Sequence, residues 1–137
     1  MIPAHIAQYK SVQIRTSSPG ELLIAHYDGL FKFLLLSKIS IERKKVAEAS
    51  EAISRAHAIL SELYVSLDHS QYPELCKNLS ALYDYCLQRL LYANRHRKAE
   101  VVEEVMRLLT PVREANTIVV RQMAGQAQNP QGRGGGR

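Results

Sequence analysis

The sequence predicts an all-α protein, an antiparallel up-down-up-down four-helix bundle with an N-terminal arm and a disordered C-terminal tail. Three observations carry that expectation. Apolar residues recur at three- and four-residue spacing along four successive stretches. Helix breakers are missing from the interior, with no Pro between Pro19 and Pro73 and no Gly between Gly29 and Gly125. The 46% of hydrophobic residues include only two Phe and no Trp, so a core must be built from Leu, Val, Ile and Ala, which suits helix packed on helix. With 137 residues there is enough chain for one core and not for two. Residues 1–17 read as the arm, 18–124 as the bundle and 125–137 as the tail.

In the arm, Ile6, Tyr9, Val12 and Ile14 follow no period. A helix then starts sharply. Ser18 can cap the free backbone N–H groups, Pro19 sits where a proline loses no intrahelical bond, and Glu21 falls three residues after Ser18, within reach of the cap. This first helix is expected from about Pro19 to about Ile41, with Leu23, Tyr27, Leu30, Leu34 and Ile41 on one face. The spacing lapses between Ser40 and Lys45, where Arg43, Lys44 and Lys45 can satisfy the last carbonyls. The second helix runs from Val46 to Leu67 on a stripe of Ala49, Ile53, Ala56, Leu60, Leu63 and Leu67. After the polar turn Asp68-His69-Ser70-Gln71, Pro73 opens the third, whose stripe is Leu75, Leu79, Leu82, Cys86, Leu90 and Ala93 and which Asn94 closes. The fourth begins near Lys98 and carries Val101, Val102, Val105, Leu108, Leu109, Val112, Ala115 and Val119. Pro111 lies inside it and is expected to kink it or split it after Leu109. Five of the seven glycines lie between Gly125 and Arg137, a composition that cannot support a core.

Chemistry is scarce in this chain. The five His are scattered, with no pair at i, i+4, so no local metal motif exists, and His26 is expected to pack near the core. There is no Gly-rich phosphate loop, nucleophile elbow or Cys-x-x-Cys. Catalytic residues, metal and cofactor are all expected to be none, and the protein is expected not to be an enzyme. Cys76 and Cys86 are ten residues apart on one helix, roughly 15 Å at the helical rise, which is too far for a disulfide and suits buried thiols in a reducing compartment. No apolar run is long enough to span a membrane and residues 1–10 lack a signal-like stretch, so the expected location is the cytosol.

A net charge of +5 raises nucleic acid as a partner, through the basic cluster from Arg89 to Lys98 and the Gly/Arg tail. Arg133 and Arg137 account for part of that charge, and the tail has neither the repeats nor the aromatics of RNA-binding segments, so this is the runner-up reading. The third helix is more informative. Tyr83, Leu87 and Leu91 form a row at four-residue spacing, roughly 100° from the main stripe. Two readings stay open: a central helix packed on three sides, or a groove that accepts an amphipathic helix from another chain. Ile6 and Tyr9 of the arm have the composition to cover such a groove.

The opening Ser18-Pro19-Gly20-Glu21-Leu22-Leu23, with Tyr27-Asp28-Gly29 after it, resembles the start of the flagellin-specific export chaperones, the FliS family. Tyr9 stands ten residues before Pro19, as in that family. Ile59 to Leu63 with Ser66-Leu67-Asp68 resembles the end of the family's second helix. Asn78-Leu79, Leu82 to Tyr85 and Leu90 to Asn94 resemble its third, and Leu108-Leu109 with Val112 to Ala115 its fourth. The chain departs at Ile6 (an aromatic elsewhere), His26 (Met or Leu), Asn116 (Trp) and Pro111. The resemblance implies a cytosolic, non-enzymatic chaperone that binds the disordered C-terminal region of flagellin, prevents premature polymerisation and keeps it fit for type III export. The flagellar export gate is a further candidate partner. The residues expected to form the groove or its cover are Ile6, Tyr9, Tyr64, Leu67, Tyr83, Leu87 and Leu91.

Overall fold

The computed structural model describes residues 19–128, and the arm with Ile6 and Tyr9, the cap Ser18 and residues 129–137 lie outside that range. Four helices follow one another: α1 (Pro19–Glu42), α2 (Val46–Val65), α3 (Pro73–His96) and α4 (Ala99–Gln128). They form the antiparallel up-down-up-down bundle. Each of α2 and α4 packs against both α1 and α3, which places α1 and α3 on one diagonal. The α1–α2 contact is the most extensive. The sequence explains this: α1 buries Ser37 and Ser40 and α2 buries Ala49, Ala52 and Ala56, small residues that let the two backbones approach. Ser37 satisfies its hydroxyl by donating to the Phe33 carbonyl at 2.6 Å.

The core runs along the bundle axis through Tyr27, Leu30 and Leu34 of α1, Ile53, Leu60 and Leu63 of α2, Tyr83, Cys86 and Leu90 of α3, and Val102, Val105 and Leu109 of α4. The hydroxyls of Tyr27 and Tyr83 bond to each other across the α1–α3 diagonal. Burial raises the pKa of both phenols, that of Tyr27 well above the ordinary tyrosine range, so both stay neutral.

Helix ends differ from expectation in instructive ways. Asn94 does not close α3, which continues to His96 and turns at Arg97 in the left-handed region, φ 55°. The Arg97 N–H reaches back to Ala93 O, and the Lys98 N–H to the same carbonyl at 3.2 Å. α1 ends the same way at Lys44, φ 58°, with Lys45 N–H on Ser40 O and Lys44 N–H on Ile41 O. These are Schellman-type ends, with cations at the positions where glycine is usual. α2 stops at Val65, short of Leu67, because Ser66 turns its hydroxyl onto the Leu63 carbonyl. Asp68 then accepts the Ser70 backbone N–H at 3.0 Å to shape the polar turn.

Pro111 does not split α4, which is continuous from Ala99 to Gln128. Leu109 is buried and Val112 is packed against the core, so tertiary contacts on both sides of the proline hold the helix together. Residues 125–128, expected to belong to the tail, extend α4 instead. Ala115 and Val119, assigned to the α4 stripe by spacing, are exposed, while Val120 lies against Gly20 of α1. Leu75 of α3 is likewise exposed, and Cys76 takes the buried position.

Candidate partner-binding surface

A four-helix bundle has four seams, and their chemistry separates them here. Across α1–α4, Arg113 Nη2 meets Asp28 Oδ1 at 2.5 Å with its guanidinium 4.6 Å from the Phe31 ring, and Lys38 Nζ meets Glu103 Oε1 at 3.3 Å. Across α3–α4, Glu104 accepts from the Tyr85 hydroxyl at 2.7 Å and from Arg89 Nε at 2.8 Å. Those two bonds, the tyrosine's first, hold the Glu104 carboxyl below the usual glutamate range. Arg89 also lies 4.8 Å from the Tyr92 ring, which stacks on His96. Across α1–α2, His26 bridges the Leu22 carbonyl of its own helix and Glu62, and Arg55 sits over Phe33. His26 is therefore an edge residue with a side chain 40% exposed, not the core residue expected from its neighbour Tyr27.

The α2–α3 seam is different. Among the described residues no ion pair crosses it, and the side-chain bond between the two helices, Ser50 Oγ to Asn94 Oδ1 at 3.0 Å, lies at one end. That bond fixes which flanks face each other. His57 and Tyr64 follow Ser50 at heptad intervals, and Leu87 precedes Asn94 by the same interval, with Leu91 one turn before Asn94. Tyr64 and Leu91 are exposed, at 38% and 57%, and Leu67 and Leu87 are half-buried against the core. Tyr64 and Leu87 thus lie on the two flanks that face across this seam with Leu91 beside them, among the polar Ser50, His57 and Asn94, while Leu67, past the end of α2, packs against the core.

Tyr83 is not among them. It is 3% exposed and belongs to the core under the seam. The reason is geometric: positions four apart on a helix turn by roughly 40°, so the row Tyr83, Leu87, Leu91 spirals from the interior to the surface. α3 packs on α2 and α4 and reaches α1 through the Tyr27–Tyr83 bond, so the reading of a helix with three neighbours accounts for Tyr83. Glu21 lies in the first turn of α1, and its expected cap partner Ser18 lies outside the described residues. Val65, Tyr72 and Leu75, exposed at 80%, 64% and 55%, were missed as surface; they flank the polar turn between α2 and α3. Their signal was present in the sequence as apolar residues beside a turn.

Among the described residues no three His, Cys, Asp or Glu side chains gather to hold a metal, and no helix of the described chain is long and apolar enough to cross a membrane. The described fold is that of an all-α four-helix bundle. Residues 2–122 match the family model of the flagellar protein FliS, and the chain belongs to that family, one of chaperones rather than enzymes. It is 36% identical to the flagellar secretion chaperone FliS of Salmonella typhimurium over 74% of this chain and 76% of that one. It is 32% identical to the protein of the same name from Bacillus subtilis, over 78% and 79%. A crystal structure of a bacterial flagellar chaperone superposes with a TM-score of 0.71 over 88% of this chain and 99% of that chain, at 18% identity, so the fold is shared.

Proposed function

We propose that this protein is a cytosolic chaperone that binds the disordered C-terminal region of flagellin and holds it for export. The observation that carries the reading is the α2–α3 seam, which no ion pair crosses among the described residues and beside which Tyr64 and Leu91 are exposed and Leu87 is half-buried, with Leu67 packed on the core beyond the end of α2. Filament subunits carry terminal segments built to pack as helices against neighbours. An amphipathic segment that folds along this seam masks its own polymerising face, and the buried apolar area offsets the ordering entropy. The chaperone names of the relatives support the same reading.

The test is calorimetric titration with a peptide of the cognate flagellin C-terminus, with circular dichroism alongside. Stoichiometric binding, a large negative heat-capacity change and gained helicity are expected. Leu91→Asp should weaken that binding by at least about tenfold while leaving stability within about 0.5 kcal/mol, since the side chain is exposed. No heat from the folded bundle would overturn the proposal.

A further inference from the structure

One end of the bundle carries a second, chemically distinct feature. The α1–α2 and α3–α4 turns lie side by side there, joined by Arg97, whose Nη1 is 3.4 Å from the Val46 carbonyl and 3.3 Å from Ser50 Oγ. Six of the chain's 18 Lys and Arg residues sit in these turns or in the last turn of α3 before them: Arg43, Lys44, Lys45, Arg95, Arg97 and Lys98. Three carboxylates, Glu42, Glu48 and Glu100, accompany them. None of the six cations forms an ion pair within the described chain, whereas Lys38, Arg55, Arg89 and Arg113 all do. Between the two turns opens a hollow of about 240 Å³, lined by Ile41, Val46 and Ala49 and rimmed by Lys44, Lys45 and Arg97. Val46 is 53% exposed in it.

Stability accounts for this arrangement only in part, through the Arg97 bonds between the turns. Helix dipoles favour cations at the ends of α1 and α3, but the positive ends of α2 and α4 are at the same end of the bundle and disfavour them. Lys44 and Arg97 also occupy left-handed backbone that glycine would take without strain. Cations have been placed where both the backbone and the neighbouring helix termini would prefer something else.

We propose that this basic end is a docking site for an acidic segment of a partner protein that inserts one bulky apolar side chain into the hollow. Charge complementarity selects the occupant. The chain's own ends do not qualify, since no Asp or Glu occurs before Glu21 or after Glu114. A second copy does not either: an end face roughly 20 Å across offers about 400 Å² per partner, half of what a stable pair buries. The aliphatic floor, with no aromatic in it, gives nucleic acid bases no stacking surface. The site adjoins the Leu91 end of the seam at Ser50 but is built from other residues, so it is tested with a different ligand.

The probe is a fluorescein-labelled peptide of eight Asp and Glu residues with one central Phe, titrated by anisotropy at low and physiological salt. The diagnostic variant is Lys44→Gly with Lys45→Gln, which removes two cations from the rim, relieves the left-handed residue Lys44 and leaves the Arg97 bonds between the turns in place. Salt-sensitive binding by the native protein is expected, weakened at least about fivefold in the double variant, whose Tm is unchanged or raised. Unfolding then cannot explain the loss. Equal binding by the double variant, or no binding at low salt, overturns the proposal. Equal affinity for the peptide without Phe overturns the role of the hollow. Tighter binding of a single-stranded 20-mer oligonucleotide than of the peptide overturns the choice of partner.

Discussion

The Tyr27–Tyr83 pair offers the most discriminating test of the packing. Both rings are buried, at 1% and 3% exposure, and each hydroxyl has the other as its partner. Tyr83→Phe removes one hydroxyl and leaves the other buried without a bond, which costs about 1–3 kcal/mol; Tyr27→Phe does the same in reverse. The double Phe variant removes both polar groups with almost no change in shape and should cost less than about 1 kcal/mol. The double variant is therefore expected to be more stable than either single one, with a coupling energy of about 2 kcal/mol. For a domain of this size each kcal/mol moves Tm by roughly 4 °C, so the single variants should melt about 4–12 °C low and the double near the native value. Burial raises both phenols, so in each the folded state holds its proton more tightly than the unfolded chain. The contribution is therefore complete below the unfolded pKa of about 10 and is lost only above it, and the pattern should be flat from pH 6 to 9. Urea unfolding of the four proteins gives the cycle. Additive losses would refute the reasoning, as would a change in flagellin-peptide affinity in Tyr83→Phe, because Tyr83 would then be acting at the surface.

Gly20→Ala should destabilise the protein by about 1–3 kcal/mol by denaturant unfolding, because the new Cβ would lie 2.9 Å from both γ-methyls of Val120, a branched side chain with little freedom to move aside. Glu104→Gln should lower Tm modestly at pH 7 by loosening Tyr85 and Arg89. Since the folded carboxyl titrates below its unfolded value, that stabilisation is present above about pH 4.5 and is lost as pH falls through the lower folded value, so the gap between variant and native should close in acid. Cys86, fully buried and pushed up to about 12 by burial, should resist an aromatic disulfide reagent at pH 8 in the native state and react at once in denaturant. Rapid native labelling of that residue would mean the core opens far more readily than its packing implies.

Much of this protein was determined by sequence alone. The number, order and starts of the helices follow from local chemistry: proline at the first turns of α1 and α3, and apolar spacing that alternates three and four. The family resemblance was legible for the same reason, since caps, turns and stripes are short-range patterns. Tertiary structure decided what short-range pattern leaves open. Tyr83 and Leu91 share a row in sequence, yet one is core and the other surface, because the row drifts around the helix and only the position of α2 says where the interior ends. Leu75 and Val119 fit their stripes and still lie exposed, because neighbouring helices do not cover them. Pro111 remains inside a continuous helix because Leu109 and Val112 are held by the core. The basic end exists only in three dimensions: Lys44 and Arg97 are 53 residues apart in the chain, and antiparallel packing brings their turns together around one hollow. Periodicity states that a face is apolar; the partner that covers it, or leaves it open, is a property of the packed bundle.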